Sequence, residues 1–129
     1  MIEEGLFSML TSDTAVGAII ENRMFGSVAP AGAKLPRLVY TKLGDSNDST
    51  LCATDSTQRV TIQVDCYAKD YKSSKVLAKT VRQSLVDYRG FMGDTYVKTV
   101  ILSTELDLTD PDPGLNRVSQ TYFIWIVEN

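Results

Sequence analysis

Apolar and polar residues alternate along this chain with two different periods, and the switches between them divide it into elements. The opening stretch places Ile2, Leu6, Phe7, Met9 and Leu10 at near-helical spacing. Glu3 and Glu4 fall in its first turn, where negative charge suits the helix dipole, so a short helix is expected over 2–10. Thr11-Ser12-Asp13 offers capping side chains for a second helix over Thr14 to Ile20, with Val16, Ile19 and Ile20 as its apolar side and Asn22 as its stop. A short strand is expected within Arg23 to Val28. The loop Ala29-Pro30-Ala31-Gly32-Ala33 through Pro36 follows, because proline lacks the amide donor that a sheet ladder uses.

Leu38 to Leu43 is rich in β-formers and runs into Gly44-Asp45-Ser46-Asn47-Asp48-Ser49-Thr50, which has almost nothing apolar to bury. A mobile polar loop over about 44–57, or the tip of a long hairpin, is expected there. In Gln58 to Tyr67, Val60, Ile62, Val64 and Cys66 alternate with Thr61, Gln63 and Asp65, the period of a strand with one packed and one wet face. The next stretch predicts a long helix from Tyr71 to Arg89, capped by Asp70 and stopped by Gly90. Leu77, Val81, Leu85 and Tyr88 form its buried stripe. Thr95 to Leu108 alternates again, which predicts Val100, Leu102, Leu106 and Leu108 on one side. The turn-forming run Thr109-Asp110-Pro111-Asp112-Pro113-Gly114 then leads into a last strand, Leu115 to Val127, as a hairpin. Tyr122 to Val127 is apolar on both faces, which places it in the sheet interior or against another chain. The element order has no repeat and no βαβ alternation. The expected fold is α+β, a single domain over 1–129 with a mostly antiparallel sheet and one long helix and short N-terminal helices on one face.

Composition narrows the function classes. The 129 residues are 43% hydrophobic and 22% charged, an ordinary composition for one globular domain that can fold without metal or disulfide staples. Thirteen basic against sixteen acidic residues give a formal charge of -3, which argues against sequence-independent grip on nucleic acid. No apolar run approaches the ~20 residues that cross a bilayer as a helix, and the start lacks the basic and apolar regions of a secretory signal, so a cytoplasmic protein is expected. Cys52 and Cys66 then read as free thiols.

Candidate chemistry is thin. No histidine is present, so Ser-His-Asp and Cys-His machinery cannot be built. Neither glycine-rich phosphate cradle occurs, and Ser73-Ser74-Lys75 misses the S-x-x-K spacing. Two cysteines without histidine fall short of a zinc ligand set. The acidic group Glu105, Asp107, Asp110 and Asp112 is broken by prolines and reads as a solvated turn. No enzyme, cofactor or metal is expected. One pattern stands out: Lys72, Lys75, Lys79, Arg82 and Arg89 share about 100° of helical arc beside the apolar stripe. That basic flank is either a solvated face or a contact for acidic residues of a neighbouring subunit.

Four stretches together resemble the tail completion protein family of long-tailed phages. They are I-E-E-G-L-F-S-M-L-T-S-D-T-A-V from Ile2, A-P-A-G-A-K-L-P-R-L-V-Y from Ala29, V-T-I-Q-V-D-C-Y-A-K-D-Y from Val60 and D-P-D-P-G-L-N-R-V-S-Q-T-Y from Asp110. The resemblance implies a small subunit related to tail terminators, found in the virion after assembly in the host cytoplasm. It further implies a homo-oligomeric ring, of six in the family, that meets the major tail tube protein on one side and a head-tail connector or neck protein on the other. Phage DNA would pass through its lumen without sequence-specific binding, and no membrane is involved. Candidate subunit or ring-stacking residues are Pro30, Lys34, Asp45, Asn47, Asp48, Lys72, Lys75, Lys79, Arg82, Asp110 and Asp112. The other readings are a neck adaptor or tube subunit of the same virion, or a soluble module that binds a peptide or small ligand.

Overall fold

A computed structural model describes residues 2–30, 32–47, 57–109 and 115–127. In chain order these form α1 (Ile2–Ser12), α2 (Thr14–Ile20), β1 (Met24–Gly26), β2 (Arg37–Asn47), β3 (Thr57–Ala68), α3 (Tyr71–Leu85), β4 (Gly90–Met92), β5 (Thr95–Thr109) and β6 (Asn116–Val127). The strands make one six-stranded sheet in the order β1-β2-β3-β6-β5-β4, in which every described pairing is antiparallel except β1 with β2. The fold is α+β, with the three helices packed on one face.

Alternation in the strands aims one set of side chains at the helices. From β3 these are Val60, Ile62, Val64 and Cys66, and from β6 Val118, Tyr122, Ile124 and Ile126, all buried. They meet Leu77, Ala78, Val81 and Leu85 of α3, which lies across β3, β6 and β5. Leu6 and Leu10 of α1 and Val16 and Ile20 of α2 complete the same core. β6 is central, so the two-sided apolar run at its end lies in the sheet interior. Tyr122, Ile124 and Ile126 are buried under the helices, while Phe123, Trp125 and Val127 are half-buried on the opposite face.

Caps fix the helix starts. The carboxylate of Asp13 accepts hydrogen bonds from the amides of Ala15 and Val16, both at 3.0 Å, and its second oxygen lies 3.0 Å from the Ser84 hydroxyl on α3. Asp13 therefore starts α2 and ties it to α3. Replacing it with alanine is expected to cost about 1 kcal/mol, the usual worth of an N-cap, measurable as a lower urea midpoint with an unchanged slope. α2 ends at Glu21, which takes a positive φ of 58°, one residue before the expected stop at Asn22.

Three expectations are corrected. The helix α3, 15 residues long, stops at Leu85 rather than running to Arg89. Val86 is extended, Asp87 turns to a φ of 65°, and the Asp87 amide donates to the Val100 carbonyl of β5, so the chain leaves the helix to meet the sheet. Gly90 is then the first residue of β4, with a φ of 132° that only glycine adopts readily, and Tyr88 reaches the core from a turn. Secondly, β2 continues through Gly44 to Asn47, pairing antiparallel with Thr61 to Gln58 after a bulge at Leu43, which agrees with the long-hairpin reading of these four residues and not with the mobile-loop one. The rest of that expected loop, residues 48–56, lies outside the described residues. Thirdly, a bulge between Leu102 and Thr104 reverses the facing of β5. Val100 and Leu102 face the helices as expected, but beyond Ser103 it is Glu105 and Asp107 that do so, leaving Leu106 and Leu108 exposed on the other face.

Candidate assembly surfaces

The bulge in β5 brings an acidic pair under the basic flank of α3. Lys75 Nζ lies 2.9 Å from Asp107 Oδ1 and 3.9 Å from Glu105 Oε2, and Arg82 Nη1 lies 3.4 Å from Glu105 Oε1. The Tyr71 hydroxyl donates to Asp107 Oδ2 at 2.8 Å. The hydrogen bond from Lys75, then that from Tyr71, holds the Asp107 carboxyl below the usual aspartate range. Asp107 in turn raises Lys75 and Tyr71 above theirs. The acidic partners of Lys75 and Arg82 are thus supplied by the same chain, while Lys72 and Lys79 stay exposed.

Because the folded pKa of Asp107 is depressed, its contribution to stability is present above the ordinary aspartate range and fades as the pH falls through it. Lys75, raised instead, contributes below the ordinary lysine range and loses this in strong alkali. In a pH series of melting temperatures, Asp107→Asn is expected to lower the neutral plateau, and so to flatten part of the acid-side decline, and to remove the alkaline loss that Lys75 owes to Asp107. An acid limb identical to that of the wild type would contradict the assignment.

Behind this clasp sits a buried polar cluster. Gln120 of β6, fully buried, donates through Nε2 to the Ala78 carbonyl of α3 at 2.9 Å and to Glu105 Oε1 at 2.8 Å. Its Oε1 accepts from the Tyr122 hydroxyl at 2.9 Å and lies 3.9 Å from Cys66 Sγ. Burial, with the charges of Asp65 and Glu105 nearby, pushes the Cys66 thiol far up, so it is a neutral core group and a free cysteine. Burial likewise raises the Tyr122 hydroxyl. The cluster joins helix to sheet, with all its polar capacity turned inward.

The sheet face opposite the helices has another character. One row across it reads Arg37, Tyr67, Arg117 and Leu108, the next Val39, Asp65, Ser119 and Leu106. The Arg37 and Arg117 guanidinium carbons stand 5.0 and 5.9 Å from the Tyr67 ring centre, and that of Arg59 stands 4.8 Å from the ring of Phe123. Phe123 meets Trp125 edge to face at 6.2 Å. Arg117 lies 3.6 Å from the buried Asp65. The Nε atoms of Arg37, Arg59 and Arg117 are buried without a hydrogen-bond partner, so stacking on rings holds these cations in place of a full set of acceptors. None of these residues was among the sequence candidates, although they occupy the wet phase of β3 and its partners, which the alternation does mark.

The remaining candidates do not converge on one place. Lys34 is exposed and borders a shallow groove of about 510 Å³ with Pro36, Ala68, Lys69, Asp70 and Ser73. Pro30 is exposed in the turn that closes through the Ala33 amide and Pro30 carbonyl. Side chains at its two flanks pin the loop, with Arg23, just before β1, donating to the Pro36 carbonyl and Arg37, at the start of β2, to that of Ala33, each at 2.8 Å. Asp45 and Asn47 stand in β2 opposite Val60 and Gln58. Asp48, Asp110 and Asp112 lie outside the described residues.

Comparison with known proteins adds two findings. The family model for Tail completion protein gp17 matches residues 4–127. Among solved structures, a chain from "Virion of native gene transfer agent (GTA) particle" superposes with a TM-score of 0.75 over 95% of this chain and 92% of that one. At 10% identity that likeness is one of fold. No curated protein matches the sequence.

Proposed function

The chain belongs to the tail completion protein family, and from that premise we propose that it is a ring-forming structural subunit that terminates the phage tail tube and joins it to the head or neck. The family match over residues 4–127 carries this reading. The placement of side chains supports it. The polar cluster that most resembles chemical machinery, Gln120 with Glu105, Tyr122 and Cys66, spends its hydrogen bonds on joining α3 to the sheet. The part is structural and not catalytic. The ring consists of copies of this chain, six on the family's pattern, between the tube protein and a connector or neck protein, and DNA passes through its lumen.

Lys72 and Lys79 of α3, with Arg89 beyond its end, are the members of the basic flank left exposed for a neighbour, and Pro30 and Lys34 are exposed in the loop before β2. Asp45 and Asn47 stand at the end of β2 that would meet a stacked ring, and Asp48, Asp110 and Asp112 are proposed for the same contact on their sequence alone. The test is negative-stain imaging of the purified chain, alone and mixed with tail tubes lacking it. Rings with a central hole that seat on the head-proximal tube end, and restore joining to heads, are expected. A chain that stays monomeric at high concentration and leaves the tubes bare would overturn the proposal.

A further inference from the structure

Among the described residues, both outer edges of the sheet are only partly covered, and they are covered at opposite ends. β1 pairs with β2 over Leu38 to Tyr40, and among the described residues no strand pairs with the outer edge of β2 from Thr41 to Asn47. On the other side β4 pairs with β5 over Thr95 to Val97, the Asp87 amide takes the Val100 carbonyl, and no described strand pairs with the outer edge from Ile101 onward. Register places these features on a common grid. Arg37, Tyr67, Arg117 and Leu108 form a row near one end of the sheet, and Asn47, Gln58, Ile126 and Val97 a row near the other. β1 therefore projects as a step at the first end of one side, and β4 as a step at the second end of the opposite side. The step on each side matches the notch on the other.

The exposed apolar side chains fall on the same two sides. Ile101, Leu106 and Leu108, at 42%, 54% and 36% exposure, line the notch of β5, and Phe91 stands on the step beside it. Val28 and Leu43 are exposed around β1 and the notch of β2. Phe25 of β1 is level with Val39, which is level with Asp65, Ser119 and, at the far edge, Leu106. A strand edge with protruding apolar side chains is costly to leave bare. Two different, mutually fitting edges on opposite sides of one sheet are what a head-to-tail contact between identical subunits requires.

We propose that neighbouring copies join edge to edge, the stretch of β5 from Ile101 to Thr109 taking β1 of the next copy as an added antiparallel strand. The occupant is a second copy of this chain, and the proposal rests on the ring reading above for its biological setting. Strand directions agree. β1 runs with β2, and β2 runs against β5 when counted across the sheet, so a copy related by rotation about an axis along the strands presents β1 antiparallel to β5. Phe25 of one copy then lies beside Leu106 of the other, on the face away from the helices, and Leu108 and Val28 flank them. The same placement sets β4 of the first copy beside β2 of the second.

The test uses the full chain with Cys52→Ser, Phe25→Cys and Leu106→Cys, oxidised at a concentration where the parent assembles. A ladder of disulfide-linked multimers is expected, because residues opposed on antiparallel strands have their Cα atoms within disulfide reach. Either new cysteine alone should stop at dimers or give none. Imaging and sedimentation of the same samples separate the two readings. Rings without a ladder would overturn edge pairing and leave the ring intact. A ladder from filaments or short oligomers would support edge pairing and count against the ring. Neither assembly nor ladder would remove both. As a second variant, Leu106→Glu with Leu108→Glu alters only exposed side chains, so it should melt like the parent while raising the concentration for assembly at least ~tenfold. Unchanged assembly of that variant would also overturn the proposal.

Discussion

A Gly5→Ala variant is expected to lose about 3 kcal/mol of stability, a drop in melting temperature on the order of 10 °C. Two effects of opposite sign meet at this residue. Within an isolated helix, alanine is better than glycine by about 1 kcal/mol, so α1 by itself would gain. Yet α1 crosses β4 with Gly5 against the Met92 carbonyl, and a Cβ there would overlap that group and come within 3.0 Å of the Met92 Cβ. The obstruction is mostly backbone. Relief on the other side is blocked by Gly93, where a Cβ would itself come within 3.2 Å of the Gly5 Cα, and which has a φ of 64°. Helix and hairpin must move apart, and Met92 and Leu6, both in the core, move with them. Overpacking should therefore outweigh propensity. Thermal unfolding followed by circular dichroism decides the sign, and a variant as stable as the parent would show that α1 does not sit so close.

Gln120→Leu is the second variant with a large expected effect, a loss of about 2–4 kcal/mol despite similar volume. The substitution removes four hydrogen bonds at once, the long one from Cys66 Sγ included. It leaves the buried Tyr122 hydroxyl without its acceptor, the Ala78 carbonyl without its added donor and Glu105 with the partly exposed Lys75 and Arg82 alone. The orphaned hydroxyl is the costly part, so adding Tyr122→Phe should restore about 1 kcal/mol or more. Denaturant titration of the two single variants and the double gives the coupling directly. Strict additivity would mean that Tyr122 and Gln120 do not depend on each other.

Most of the sheet is legible in the sequence because β3 and β6 are central strands whose facing never changes. There, a period of two in the sequence becomes one buried face in the structure. β5 was legible only from Val100 to Leu102, between bulges at Lys98 and Ser103. Beyond Leu102 the apolar period runs on unbroken in the sequence, whereas the strand carries an extra residue that is visible only against its partner β6. The end of α3 was misplaced for a similar reason. Tyr88 continues the apolar stripe and Gly90 looks like a stop, but the bond from Asp87 to Val100 depends on where β5 lies in space. The basic flank was found as a pattern, and half of its meaning was missing, since the acids facing Lys75 and Arg82 become visible only once the β5 bulge is known. The arginines stacked on Tyr67 and Phe123 were passed over because each sits alone in sequence, with its ring on a neighbouring strand.

The extra residue near Ser103 has one more consequence. It acts as a change of parity: the strand keeps its direction and its partner, yet even and odd positions exchange roles halfway along. Val100 and Leu102 serve the interior of their own subunit. Had the count continued unbroken, Leu106 and Leu108 would have been spent under α3, and Glu105 and Asp107 would have stood on the outer face beside the bare edge, as charges that repel an incoming strand. Removing that single residue should therefore exchange stickiness for solubility on this edge while breaking the helix clasp behind it. Insertions and deletions of one residue here are expected to be far less tolerated than substitutions.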